Sequence, residues 1–223
     1  MSKERSSIFN LSLTTSEIIV GLPDVLLSLT FLLAWIFPTL LGQEMVVSLV
    51  ALVIVEFINI HSSAVMGSVI VGDSSRLAKG LYLTFLCVVY SIGIEALASA
   101  YGVKWLLWAF WLMTGNRLLG ILRNRALSSV EQDMLSILWS SQFGSYLVTG
   151  ITTAFLPVPL LGLTAEVTRN LNHTVGGHEL EEPHRMMAWG FLYFVVVPFA
   201  ELFIRRSFQK GKQAPSSAEL PIA

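Results

Sequence analysis

The chain alternates long apolar runs with short polar stretches, and the runs have bilayer length rather than the length of an ordinary buried helix. A helix rises 1.5 Å per residue and needs about 20 apolar residues to cross the hydrocarbon core. Six segments meet or approach that length: 24–41, 45–71, 80–100, 105–122, 134–155 and 186–204. The second and third are the most continuous. The fifth is the most polar, with Ser140, Ser141, Gln142, Ser145 and Thr149, and Pro157 and Pro159 are expected to bend or end it. Upstream of the first run, residues 8–22 read as a short interfacial helix. Thr14 and Glu17 have capping-box spacing there, and Pro23 is expected to break the helix before the first span. After residue 204 the sequence turns polar and Pro/Ser-rich, so 205–223 read as a disordered cytoplasmic tail. The pattern predicts an all-α fold: a polytopic transmembrane helical bundle of six spans, one domain over residues 1–204.

Basic residues set the expected orientation, because Lys and Arg concentrate in cytoplasmic loops. In a six-span arrangement one side receives Lys3, Arg5, Arg76, Lys79, Arg117, Arg123, Arg125, Arg205, Arg206, Lys210 and Lys212, and the other only Lys104, Arg169 and Arg185. Eleven against three places both termini in the cytoplasm and favours an even number of spans. Trp105, Trp108 and Trp189 then fall near the outer interface and Trp139 near the inner one, where amphipathic rings prefer to sit. The expected location is the plasma or inner membrane.

Composition agrees with a lipid environment. Of 223 residues 54% are hydrophobic and 13% charged, about half the charge of a soluble domain, and the mean hydropathy is +0.68. A net charge of −1 and a pI near 6.4 argue against a nucleic-acid binder, which would carry a strongly basic balance. Cys87 is the single cysteine, so no intrachain disulfide forms.

Against this apolar background the polar residues inside the spans stand out. Glu56 and Asn59 are three apart and share one helix face, continued by Ser63 and Gly67, while His61 points roughly 140° away. Glu95 lies in the third span, and Gln142 in the fifth, with Ser145 and Thr149 on its face. The short "GDSSRLAK" connection makes the second and third spans neighbours, so Glu56 and Glu95 are expected to approach each other. A charged group at mid-bilayer costs several kcal/mol unless it faces protein or water. These groups are therefore expected to face the bundle interior, as a proton, cation or substrate site built from Glu56, Asn59, His61, Glu95 and Gln142. Arg117, Asp24 and Glu201 lie closer to the cytoplasmic ends of their spans, and read as candidates for a structural ion pair.

The stretch "EVTRNLNHTVGGHELEEPHR" is the longest connection expected on the outer side. It holds His173, His178, Glu179 and His184, a donor set suited to zinc or copper, with Gly176 and Gly177 able to let the backbone fold the ligands together. The spacing matches no established zinc motif.

Three functional classes follow. A small transporter or proton- or cation-coupled permease would use the intramembrane carboxylates. A non-catalytic subunit or assembly factor would turn its polar faces to other membrane subunits or to further copies of itself. A membrane-embedded enzyme would join the outer His/Glu metal site to the polar interior.

Overall fold

A computed structural model describes residues 15–72, 74–112, 128–174 and 182–213. All regular elements among them are helices: α1 (Thr15–Ile36), α2 (Pro38–Leu41), α3 (Gln43–Val71), α4 (Arg76–Tyr101), α5 (105–112), α6 (Ser129–Phe155), α7 (Ala165–Thr174) and α8 (Pro183–Gln213). Three of these are long and apolar enough to cross a bilayer: α3 over Gln43–Val69, α4 over Leu77–Tyr101 and α8 over Pro183–Phe208. The described residues are thus all-helical, with three helices of the length and apolarity of a membrane-embedded protein. In α1 the apolar stretch is shorter, Gly21–Ile36, and α6 is more polar than these three, with hydroxyl and amide side chains along its length.

Two boundaries differ from the sequence reading. The expected break at Pro23 does not occur, for α1 runs unbroken from Thr15 through Pro23 to Ile36. A proline costs a helix one hydrogen bond and a steric clash, but lateral packing can hold the helix together. Here α1 lies along α8, close enough that a β-carbon on Gly21 would be 3.5 Å from Cβ of Pro198. At the other end, α8 continues to Gln213, so the segment read as a disordered tail begins as helix. Residues 8–14 and 214–223 lie outside the described residues, as do 113–122 of the fourth expected span and 123–127 after it.

Local sequence explains where α6 starts. Ser128 accepts from the Glu131 amide, and the Glu131 carboxylate accepts from the Ser128 amide at 2.9 Å, which ties two otherwise orphaned donors.

Residue pairs between helices fix the directions. Glu56 of α3 meets Tyr193 of α8, whereas Ile60 and Val53 of α3 meet Trp139 and Tyr146 of α6. Tyr146 and Gln142 of α6 in turn meet Trp189 and Glu201 of α8, so α6 runs against both α3 and α8, which run the same way. Similarly, α1 runs against α8, with Gly21 beside Pro198 and Phe31 beside Gly190, and α4 runs against α3, with Tyr90 bonded to His61 and Leu83 clustered with Met66. α8 packs chiefly on α1 and α6, and α3 on α4, α6 and α8.

Two glycines allow this closeness. A β-carbon on Gly190 would enter the Phe31 ring, and one on Gly150 would stand 2.7 Å from the Trp189 indole. Small residues let helix backbones approach in a membrane, where packing rather than water exclusion drives association.

Beyond α6 the chain returns across the end of α1. The Trp35 indole donates to the Pro159 carbonyl at 2.9 Å, and the Gly162 amide donates to the Trp35 carbonyl at 3.0 Å. Leu163 and, on α7, Leu171 are fully buried beneath this crossing. Arg185, at the start of α8, places Nη1 within 2.6–3.2 Å of the carbonyls of Thr153, Ala154 and Leu156. It thereby satisfies the acceptors that the last turn of α6 leaves open.

Candidate functional site

The polar groups of α3, α6 and α8 meet in two layers. In the deeper one, Tyr193 donates its hydroxyl to Glu56 Oε1 at 2.9 Å, and Tyr146 donates to the Val53 carbonyl, also at 2.9 Å. Both tyrosines are buried, edge to face with centroids 5.5 Å apart. Trp189 packs on Tyr146 at 4.6 Å, and its indole donates to the Tyr146 carbonyl at 3.1 Å. Apolar surroundings make each of these hydrogen bonds stronger and each unpaired group more costly.

In the second layer the Gln142 amide donates to Glu201 Oε1 at 2.7 Å, while Arg205 approaches Glu201 Oε2 at 3.3 Å. Both carboxylate oxygens are thus engaged. Counting along the helices at 1.5 Å per residue, this layer lies about 12 Å from Tyr193 on α8 and about 6 Å from Tyr146 on α6. Between them are Ile60 and Val197, both buried, and Phe143, stacked on Trp139 at 5.8 Å. Trp139 also donates to the Ile60 carbonyl at 2.7 Å, which fixes its ring against α3.

The second layer opens into a cavity of about 680 Å³. Ser63, Gly67 and Ser68 of α3, Gln132, Asp133 and Ser136 of α6, and Glu201 and Arg205 of α8 are among its walls. That volume lies within the usual range for small-molecule sites. All three helices contribute the same end: the last turns of α3, the first half of α6 and the last turns of the apolar part of α8.

Asp24 of α1 is half-buried and lies within electrostatic reach of both Glu201 and Glu56. Among the described residues, the Asp24 carboxylate of α1 is thus within reach of those of α3 and α8, with the part-exposed Arg205 guanidinium beside Glu201. This regroups the residues singled out from sequence. Glu56 and Gln142 face the interior as expected, but they are joined by Asp24 and Glu201 rather than by Glu95. Glu201 takes Gln142 and Arg205 as partners; Arg117 lies outside the described residues.

The other expected members are elsewhere. Glu95 is exposed and does not turn toward Glu56. The face that α4 lays on α3 carries Leu83, Cys87, Ile94 and Ala98, which puts Glu95 roughly 100° around the axis from it. His61 is exposed at the α3–α4 seam, its Nδ1 2.8 Å from the Tyr90 hydroxyl, with Phe57 stacked on it. Asn59 is half-buried, and its backbone carbonyl accepts from the hydroxyls of Ser62 and Ser63 at 3.0 and 2.5 Å.

Of the outer His/Glu set, the side chains of His173, His178 and Glu179 lie outside the described residues. His184 is buried at the start of α8. It is 21 residues from Arg205, about 30 Å along the helix, so it does not share the cavity.

Tyr146, Tyr193 and Arg205 were not singled out from sequence. Arg205 carries a readable signal, since it follows Glu201 by four residues and so lies on the same helix face. The tyrosines carry none, because a ring within an apolar run looks like bulk.

No family model, curated protein or solved structure matches this chain.

Proposed function

We propose that the protein is a small transporter for an organic cation, coupled to proton movement at the interior carboxylates. The observation that carries this reading is the cavity of about 680 Å³ whose inner end is the Gln142–Glu201–Arg205 group. Its walls hold Asp133 and Glu201 against Arg205, an acidic excess, beside the Trp139 ring, which favours a positively charged solute. Beyond the Ile60, Phe143 and Val197 layer, the Glu56–Tyr193 pair offers a second carboxylate to which a proton is passed as the solute moves on.

The reading includes the six-span arrangement with both termini in the cytoplasm. Opposed directions for α6 against α3 and α8, and for α1 against α8, support it, since that alternation is what the second, fifth, sixth and first spans require. On that arrangement the cavity opens to the cytoplasm.

Reconstituted vesicles test the proposal. The purified chain is placed in liposomes with an imposed pH gradient and an internal pH dye, and small organic cations are offered one at a time. At least one solute should collapse the gradient with the wild type, and none should do so with Glu56→Gln or Glu201→Gln. A gradient insensitive to every solute would overturn the transport reading. Equal responses from wild type and both variants would remove the carboxylates from it.

A further inference from the structure

We infer that α4 docks a transmembrane helix of a different protein, one that carries a lysine or arginine at the depth of Glu95. On its buried side α4 packs principally on α3. Its outer side presents Leu81, Phe85, Val88, Ile92, Glu95 and Ser99, all exposed, with successive spacings of four, three, four, three and four. That is the seven-residue repeat by which one helix meets another along a seam. The four apolar members are between 50% and 68% exposed, so nothing described in this chain covers them.

Exposed apolar residues alone would suit lipid. Glu95 does not. It sits six residues before the end of α4, about 9 Å along the axis from Tyr101 and inside the apolar stretch Leu77–Tyr101. Acids at such depth face protein or water, or pair with a donor. Among the described residues α5, which starts at the same end, offers no counter-charge at that level: the residues at matching depth are Trp108 to Leu112, none of them charged.

Charge decides between occupants. A second copy docked parallel on the same seam would set Glu95 against Glu95, like against like. A foreign helix with one basic residue at that level supplies a counter-charge that the described residues lack, and a single polar position within an apolar seam also fixes register. This inference is independent of the transport reading.

The test uses the full chain in phosphatidylcholine vesicles with synthetic leucine–alanine transmembrane peptides, labelled for energy transfer. One peptide carries a single lysine about 9 Å from its centre, the offset of Glu95 within Leu77–Tyr101, and the control has leucine there. The lysine peptide should associate about tenfold more tightly than the control, and Glu95→Gln should erase most of that preference. Glu95→Gln preserves volume, and its thermal stability in detergent serves as the check on folding. Equal association of the two peptides, or none, would mean that the face meets lipid and would overturn the inference. Energy transfer between differently labelled copies of the chain, lost in Ile92→Arg, would assign the seam to a second copy and overturn it equally.

Discussion

The Tyr193 hydroxyl and the Glu56 carboxylate are 2.9 Å apart across the contact between α8 and α3, and both belong to helices long and apolar enough to cross a bilayer. A carboxylate so placed keeps its donor or imposes a desolvation cost. Tyr193→Phe removes the donor while preserving the ring, and should destabilise the protein by about 1–3 kcal/mol in a detergent unfolding titration. Glu56→Gln retains an acceptor for Tyr193 and should cost less. Equal losses would show that the bond is not what places these side chains.

The α1–α8 contact depends on the missing side chain at Gly190. Gly190→Ala forces a methyl group into the Phe31 ring and should cost about 1–3 kcal/mol through overpacking. Combining it with Phe31→Leu, which shortens the obstructing side chain, should recover part of that loss. A double mutant as unstable as the sum of the two singles would separate the positions.

Arg185 ties the start of α8 to the end of α6 through three carbonyls and also pairs with Glu182 at 2.8 Å. Arg185→Ala leaves acceptors without a partner in the last turn of α6. The expected loss is about 1–3 kcal/mol, with earlier amide exchange over Thr153–Leu156. Arg185→Lys, a point charge without the fork, should fall between the two.

The cavity predicts a labelling pattern. Native Cys87 is fully buried and should not react with a membrane-impermeant maleimide, which gives a low baseline. Ser63→Cys and Ser136→Cys line the cavity and should react from one face of the vesicle only. Labelling of both from either face, or of neither, would contradict an opening at one end.

Much of the fold is legible in the apolar runs, because lipid imposes length on a spanning helix: α3, α4 and the apolar part of α8 follow them closely. Pro23 misleads because a local rule, the lost hydrogen bond, is outweighed by packing of α1 on α8. Within the site, Glu56 and Gln142 stand out because polarity is rare in such segments. The rotation of α4 does not stand out. Its sequence is apolar almost all round, so adjacency to α3 says nothing about which side Glu95 takes; the contacts of Leu83, Cys87 and Ile94 decide that. Likewise Glu201 was read with Arg117 by depth, while the nearer partner stood one turn along its own helix at Arg205.

The length of α8 has a mechanical consequence. Its 31 residues make a rod about 46 Å long, some 15 Å more than the oily thickness it crosses. Pro198 lies inside the rod and leaves the Phe194 carbonyl without its usual helical donor, so that turn is held by one hydrogen bond fewer. Glu201 and Arg205 ride on the segment past this joint, and Tyr193 on the segment before it. Bending there would swing the two acidic layers relative to each other, carrying the projecting stub as a lever into the water beyond.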